Sequence, residues 1–470
     1  MNKFLKKNQY SITIIIIVVI RLFLNAILPL MDKTEARYAE IARIMFETGN
    51  WIIPQIDYGV PFWAKPPLSI WLNALSFHVF GVNEFAVRFP SFLLSLLIWL
   101  VLSKLIYSKN EKLILGLVLF TLPQFLLHAG VVSTDMTLLF SLCLVMVGFY
   151  KQITFSKKTY WVFLIFIGFG LGLLAKGPIV FVLTLPVLFL WVLWFNQWKS
   201  LWKKIPILSG ILITFLIALP WYYFAEKATP GFIDYFIVGE HLKRFVDASW
   251  DGDKYGFAKQ QPMGIIWLFL ILFSLPWIAL LLFRSLKRFK LKTIIKRVSS
   301  KKYVLYLVLW LVWTPLFFTS SKSLIHTYML PCTLPLALLV VHFWKYFSKS
   351  KTNISIAFSL PLLAFLLGIV ALNFSLFKTY ANSDKYLVKN NIDKKLFYLQ
   401  EKTYSSQFYS QGNINVISAN DFKTKNYPDE DFLLLVRKKI LKRQKNLDLS
   451  NFQKIEESNQ SVLYNIITHN

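Results

Sequence analysis

Cysteine is nearly missing: 2 in 470 residues, too few for a disulfide framework. Cys143 and Cys332 lie within or at the edge of apolar runs. Neither belongs to a pair at metal-ligand spacing, so both read as small core residues. Charge is scarce too. Charged residues make up 16% of the chain against 56% hydrophobic and 17% aromatic, which excludes an ordinary soluble protein. Acid is the scarcer sign, with 24 Asp and Glu against 52 Lys and Arg and a formal charge of +28. No internal repeat and no low-complexity tract is visible. No small-residue cleavage site follows the first apolar segment, so it reads as a retained span and not a removed signal peptide.

What the chain has instead is long apolar runs, of about 20 residues, the length that crosses a hydrocarbon core. They recur through about four-fifths of the sequence and predict a polytopic α-helical membrane protein. The expected spans, about eleven of them, are 11–30, 89–106, 113–130, 135–150, 160–175, 177–195, 205–224, 264–283, 303–319, 328–344 and 353–376. The run around Ala175-Lys176-Gly177-Pro178 is too long for one crossing, and Gly-Pro stops a helix, so two spans meet there.

The basic residues sit in the short connections. Lys3, Lys6 and Lys7 precede the first span. Lys109 and Lys112, then Lys151, Lys157 and Lys158, then Lys199, Lys203 and Lys204 fall in alternate loops. The stretch 283–302 is the densest cluster, and Lys345, Lys349 and Lys351 follow. All share one side if the N-terminus is cytoplasmic, which is the positive-inside pattern. That distribution argues against a nucleic-acid partner. The opposite side receives loop 31–88, loop 225–263, a short loop around Ser320–His326 and the tail from about Lys378.

Loop 31–88 is polar but structured. Glu35–Thr48 reads as an amphipathic helix with Ala36, Ala39, Ile41, Ile44 and Met45 available to one side, and Leu68–Phe80 is apolar yet too short to cross. Both suit helices lying in the membrane interface. The tail changes character: Leu396–Leu399, Ile414–Ile417, Phe432–Val436 and Val462–Ile467 are strand-like. The expected organisation is a membrane domain over 1–377 and a small α/β domain over 378–470, outside the membrane.

Charged groups beside a bilayer read as functional by default. On the expected outer face these are Asp32, Glu35, Arg37, Lys65, Asp135, Lys176, Glu240, His241, Lys243, Arg244, Lys322 and His326, all at span ends. A bundle can gather them around one cavity. Such a mixture suits a phosphate-bearing substrate, with Arg and Lys holding the phosphate and a carboxylate acting as base or metal ligand.

Plain structural readings stand beside this one. Asp32 and Glu35 could cap a helix start. Arg37 could pair with Glu40 or Glu35, and Lys176 could snorkel at a span end. His241 could be a surface residue, while His78, His128 and His342 read as interfacial or core residues. Arg21, inside the first span, needs a partner or cavity that the sequence does not supply. Asp251-Gly252-Asp253 has the form of a metal–nucleotide motif but reads as a Gly-centred turn.

Several motifs occur in a telling order: Thr34-Glu35-Ala36-Arg37-Tyr38-Ala39-Glu40-Ile41, Gly49-Asn50-Trp51, Pro54, Lys65-Pro66-Pro67 and Phe80-Gly81-Val82-Asn83-Glu84-Phe85-Ala86-Val87-Arg88. Leu174-Ala175-Lys176-Gly177, Glu240-His241-Leu242-Lys243-Arg244-Phe245, and Lys322 with Thr327-Tyr328 follow. Together they resemble the bacterial ArnT-like and protein-O-mannosyltransferase-like glycosyltransferases of the GT-C superfamily. The resemblance covers most of the membrane region and, more weakly, the tail.

It implies an inner-membrane, multi-pass enzyme with a cytoplasmic N-terminus and a periplasmic tail. Its partners would be membrane lipids, a polyprenyl-phosphate-sugar donor (undecaprenyl phosphate in a bacterium) and a lipid or glycan acceptor such as lipid A. Protein O-glycosylation is the alternative. The transfer would invert the anomeric centre, with polyprenyl phosphate leaving.

The resemblance puts the catalytic acid in the first loop, at Asp32 or Glu35. It puts the donor phosphate on Arg37, Lys65, Arg244 and Lys176. Tyr38, Asp135, Glu240, His241, Lys322 and Tyr328 are further cavity candidates. A divalent metal is neither required nor excluded. Two departures stand out. The family often has Asp-Glu where this chain has Thr34-Glu35, and ArnT-type members carry Glu where this chain has Ala64, which removes a metal ligand and weakens the match to aminoarabinose transfer. A lipid transporter or a non-catalytic scaffold are the competing classes. Transporters place polar groups near the midplane of repeated halves, whereas here the charges gather in loops.

Overall fold

The computed structural model describes residues 2–155, 159–243, 252, 254–256, 260–288, 298–346, 350–426, 431–444 and 447–466. It is a helical bundle carrying a small mixed α/β unit on the face of its first long loop. The bundle opens with α1 (Asn2–Ile27), and the first loop holds α2 (Thr34–Thr48), a short hairpin of β1 (Gln55–Asp57) with β2 (Val60–Pro61), and α3 (Leu68–Phe80). Next come α4 (Glu84–Leu102), α5 (Lys109–Leu119), α6 (Pro123–His128), α7 (Asp135–Thr154), α8 (Trp161–Lys176) and α9 (Ile179–Trp194). They are followed by α10 (Trp198–Lys204), α11 (Ile207–Ala228), a π-helical segment Asp234–Lys243, α12 (Ile265–Phe273), α13 (Trp277–Arg288) and α14 (Lys302–Phe318). The bundle ends with a 3-10 turn His326–Cys332 leading into α15 (Thr333–His342), and with α16 (Ser350–Asn373).

Four described helices, at 8–27, 84–105, 135–154 and 207–228, are long and apolar enough to cross a membrane, and the chain is a multi-pass membrane protein. Two of the expected spans are not single helices. The 113–130 run is divided between α5 and α6, and Pro123, which has no amide proton to give the preceding turn, begins the second piece. The 264–283 run is α12 and α13 bent by 97°, with Pro276 in the break. The expected break at Gly177 is present: α8 ends at Lys176 and α9 begins at Ile179. α7 and α8 pack closely because Gly168 has no side chain. A Cβ there would lie 2.9 Å from the Ser141 carbonyl oxygen. Cys143 and Cys332 are buried, as small core residues should be.

The tail begins with α17 (Leu376–Tyr380) and α18 (Lys385–Lys389). It continues with β3 (Leu396–Leu399), α19 (Tyr404–Tyr409), β4 (Ile414–Ile417), α20 (Ala419–Lys423), β5 (Leu433–Arg437), α21 (Lys438–Arg443), β6 (Phe452–Glu457) and β7 (Ser461–Ile466). The sheet runs β4-β3-β5-β7-β6, parallel across β4, β3 and β5 and antiparallel beyond. β6 was not anticipated. Its sequence, Phe452-Gln453-Lys454-Ile455-Glu456-Glu457, has too few apolar positions to announce a strand. β5 is apolar on both faces for a reason. Leu433 and Leu435 join a core shared with the first loop, while Leu434 and Val436 join one with Phe422, Ile440 and Phe452.

This sharing corrects the interfacial reading of α2. The helix is buried from Glu35 to Met45 at every position but Arg37. α3 covers one side, and α19 covers another. An amphipathic pattern with small residues (Ala36, Ala39, Ala42) suits a helix with protein on several sides as well as one lying in lipid headgroups.

Two acids of the first loop hold it in place. Glu35 faces Arg88 of α4 in a two-pronged ion pair, Nε to Oε1 at 2.8 Å and Nη2 to Oε2 at 2.9 Å. The other Arg88 protons go to the carbonyls of Asn25, Leu28 and Pro29 at the end of α1, at 3.0, 2.5 and 3.0 Å. One guanidinium thus ties the end of the first span, the loop and α4 together with all its donors used. Asp32 turns to the tail. Oδ1 accepts the Ser405 amide at 3.1 Å, and Oδ2 accepts the Ser405 hydroxyl and the Gln460 side-chain amide at 2.7 Å. Neither acid caps α2, whose N-cap Lys33 makes no side-chain cap bond. Further ties to the tail are Lys385–Glu84 at 2.6 Å, Lys402–Asp57 at 2.9 Å, and the Leu30 amide donating to the Tyr409 hydroxyl at 2.8 Å.

Replacing Arg88 with Met leaves Glu35 buried and unpaired. The expected loss is about 3–5 kcal/mol of stability, read as a lower unfolding temperature in detergent, and an unchanged temperature would contradict this role. Tail docking should depend on pH. Burial raises the Asp32 carboxyl from 3.8 to about 6, against the pull of the Ser405 and Gln460 hydrogen bonds. Between those values the docked state keeps a proton that an undocked Asp32 releases, so docking weakens as pH rises from about 4 to 6. Hydrogen exchange in α19 should accelerate over that range in the native protein and stay flat in Asp32→Asn.

Candidate functional site

The loop held in this way presents the next turn of α2, and the centre of the site is Tyr38. Its hydroxyl lies within electrostatic reach of Arg37, Lys176, Asp135 and Glu240, and burial raises its pKa above the ordinary tyrosine value. These groups come from α2, α7, α8 and the π-helical segment, so the bundle does gather residues widely separated in sequence.

Arg37 packs its guanidinium 5.6 Å from the centres of the Tyr38 and Phe62 rings and donates from Nη1 to the Tyr255 carbonyl at 2.6 Å. Tyr404 of the tail stands beside it. Its Nε is buried without a hydrogen-bond partner among the described residues. A buried charged N–H left over is costly unless something accepts it. The expected pairing of Arg37 with Glu35 or Glu40 is not present, because Glu35 is held by Arg88 and Glu40 by Arg43 at 2.8 Å.

Lys65 follows Ala64 and precedes Pro66-Pro67, and the first proline restricts its backbone to extended conformations. Its ammonium reaches Glu240 Oε2 at 2.8 Å and the Ala64 carbonyl at 2.5 Å. The neighbouring Trp63 is fixed through its indole N–H to Thr229 and its amide to the Tyr255 hydroxyl, both at 3.2 Å. Glu240 sits in the π-helical segment, a geometry that recurs at functional sites.

Lys176 ends α8 and meets Asp135, the first residue of α7, at 2.5 Å, while its ammonium stands 5.4 Å from the centre of the Tyr328 ring. The second Asp135 oxygen is 3.9 Å from His128 Nε2, and His128 Nδ1 is 2.9 Å from the Gln124 carbonyl. Gln124 also contacts His326, which stacks on Phe273 at 4.6 Å. His128, read from sequence as a core residue, thus lines the back of the charged cluster.

His241 has a positioning part. Nδ1 is 2.8 Å from the Phe236 carbonyl and Nε2 is 3.1 Å from the Lys176 carbonyl, so neither nitrogen is turned to a metal. Burial and the nearby Lys65 lower its pKa. It joins the π-helical segment to the break after α8. Gly177, at φ 78, leaves the space: a Cβ there would lie 2.7 Å from the Phe236 ring and 3.2 Å from His241. Among the described residues no group of three or more His, Cys, Asp or Glu could hold a metal ion.

Of the expected site residues, then, Arg37, Tyr38, Lys65, Asp135, Lys176, Glu240, His241 and Tyr328 come together. Lys322 does not join them by any ion pair among the described residues, and its side chain is exposed. Arg244 lies outside the described residues, as do Asp251 and Asp253. Asp32 and Glu35 are engaged in holding the loop, so the first-loop acids support the cluster instead of facing into it. Sequence reasoning gave Arg88 no role, although it closes a quoted motif, and it had no signal for Tyr255 or Tyr404. A cleft of about 520 Å³ on the tail, lined by residues including Lys423, Lys425, Arg443 and Asp448, shares no residue with the site.

Residues 12–236 match the family described as dolichyl-phosphate-mannose-protein mannosyltransferase. An undecaprenyl phosphate-alpha-4-amino-4-deoxy-L-arabinose arabinosyl transferase from Enterobacter sp. (strain 638) is 31% identical over 353 residues, 72% of this chain and 59% of the relative. One from Pseudomonas fluorescens is 31% identical over 369 residues, 75% of this chain and 63% of the relative. In both cases the match spans about three-fifths of the relative's length. Among solved structures, ArnT from Cupriavidus metallidurans bound to undecaprenyl phosphate superposes with a TM-score of 0.76, covering 98% of each chain at 15% identity. Its apo form gives 0.74. The membrane region is thus similar in sequence to these arabinosyl transferases, and the whole chain has the fold of ArnT.

Proposed function

We propose that the protein is an inner-membrane glycosyltransferase that takes a sugar from a polyprenyl-phosphate donor and passes it, with inversion, to a cell-envelope acceptor on the periplasmic side. The observation that carries this reading is the buried N–H of Arg37, unaccepted among the described residues, beside the Lys65–Glu240 and Lys176–Asp135 pairs. Such a place favours an anionic oxygen. Undecaprenyl phosphate is what the superposed ArnT structure holds, and the sequence relatives are named for an undecaprenyl-phosphate sugar. With the N-terminus cytoplasmic, the basic connections face the cytoplasm and this cluster faces out.

In the reaction, an acceptor oxygen bonds to the anomeric carbon while the bond from that carbon to the phosphate oxygen breaks. The leaving group is an anion. Arg37 and Lys65, with Lys176 and Arg244 as further cations, stabilise the charge that develops on it. Tyr38 can donate its proton toward the same oxygen. The acceptor's proton goes to a carboxylate. Asp32 and Glu35 hold the platform, so this part falls to Asp135, which shares the cluster and has one oxygen facing His128.

The acceptor in this reading is lipid A or another envelope glycan. The matched family's description favours a protein acceptor as the second reading. The tail, periplasmic in this orientation, clamps the first loop from the acceptor's side.

Purified protein in detergent or nanodiscs, given radiolabelled polyprenyl-phosphate sugar and envelope lipid, should move label from donor to acceptor. Lys65→Glu and Arg37→Glu should each lower the rate by at least a hundredfold while the protein remains inserted and folded. Full activity in both variants would refute their assignment, and an intact donor after incubation with native protein would refute the transfer itself.

A further inference from the structure

Resting on that reading, in which Asp135 takes the acceptor's proton, the surroundings of this carboxylate point to where the proton goes next. We infer that His128 is a positioning residue of the transfer: it acts through Asp135, orienting the carboxylate and sharing the proton that the acceptor gives up. His128 is buried at the end of α6. Its Nδ1 lies 2.9 Å from the Gln124 carbonyl. A carbonyl only accepts, so Nδ1 carries the hydrogen and Nε2 of the neutral ring keeps its lone pair. Nε2 faces Asp135 Oδ2 at 3.9 Å. Two acceptors with no hydrogen between them stand apart in this way, and a proton placed between them draws them together.

The step balances. As the acceptor oxygen bonds to the anomeric carbon, its O–H proton passes to Asp135 and is shared with His128 Nε2. The electron pair of the broken bond leaves with the phosphate oxygen. The imidazolium then has an acceptor at each nitrogen, the Gln124 carbonyl at one and the Asp135 carboxylate at the other. Lys176 holds Asp135 Oδ1 at 2.5 Å, so the carboxylate alone offers the proton a contested place, and the imidazole offers a second one. When the product leaves, the proton returns through Asp135 to water.

The fold devotes two buried polar residues of the first span, Arg21 and Asn25, to the backbone around this ring. Arg21 donates to the Leu127 carbonyl at 2.9 Å and Asn25 reaches the Ala129 carbonyl at 3.5 Å, one on either side of His128. Gly130 makes the approach possible, since a Cβ there would lie 1.9 Å from Asn25 Oδ1 and 2.0 Å from Arg21 Nη2. Among the described residues, the neighbouring elements place the other charged and titratable groups. Asp135 comes from α7, Lys176 from α8, and His326 from the 3-10 turn, its ring centre 6.4 Å away with the Gln124 side chain beside it. α4 brings Glu84 and Arg88, which pair with Lys385 and Glu35.

The pH profile of the transfer tests this, with radiolabelled donor at saturation and the protein in nanodiscs. Native kcat should fall on the acid side with a midpoint between about pH 5 and 8, the window in which imidazole changes charge. His128→Asn can still donate to the Gln124 carbonyl but takes no proton. It should lower kcat at least about tenfold, leave the donor KM and the unfolding temperature unchanged, and remove that acid limb. His128→Gln should do the same where Asn disturbs folding. A variant that keeps the native rate, or loses rate yet keeps the acid limb, overturns the inference. So does a native rate that is flat across this window, and each of these results leaves the transfer reading standing. No transfer by native protein at any pH overturns the transfer reading and this inference with it.

Discussion

One guanidinium holds the outer end of the molecule together. Arg88 reaches from α4 to the last carbonyls of α1 and to both oxygens of Glu35, leaving none of its donors idle. The end of α1 is the negative pole of that helix, so the cation is well placed even before Glu35 is counted. From this fixed point α2 runs under the tail and presents Arg37 and Tyr38 two and three residues beyond Glu35. A carboxylate there without its cation would leave the helix no defined height or rotation, and the cluster around Tyr38 would have no fixed centre.

The tail contributes from the other side. Its sheet lays Leu433 and Leu435 on the core that contains Ala36, Tyr38 and Ala39, while Ser405 and Gln460 bind Asp32. The tail is thus part of the wall around the site and not an appended module. The buried Asp384, bonded to the hydroxyls of Tyr398, Thr403, Ser458 and Ser461, holds the underlying loops of the tail together.

The membrane class, most helices, the break at Gly177 and four of the five strands of the tail sheet were legible in the sequence, because each rests on a local pattern: apolar length, a Gly-Pro stop, or a short β-branched and aromatic run. Much of the candidate cluster was legible as well, since charges at span ends have few structural excuses. The pairings were not. Glu35 looked as ready for chemistry as any acid in the loop until Arg88, 53 residues on, proved to be its partner. Asp32 finds its partners 373 and 428 residues away, in a domain whose docking no local pattern announces. α2 read as interfacial because its periodicity cannot tell lipid from a protein roof. His128 read as core, which it is, but with Asp135 on its far side.

The central claim is that Arg37 and its two lysine neighbours form the seat of a polyprenyl phosphate. The most direct measurement is an experimental structure of this protein with the dephospho-sugar carrier, polyprenyl phosphate, bound. The account predicts a phosphate oxygen within hydrogen-bond distance of Arg37 Nε, with the Lys65 ammonium drawn from Glu240 toward the same group. A phosphate bound elsewhere, with Arg37 Nε still unaccepted, would contradict it.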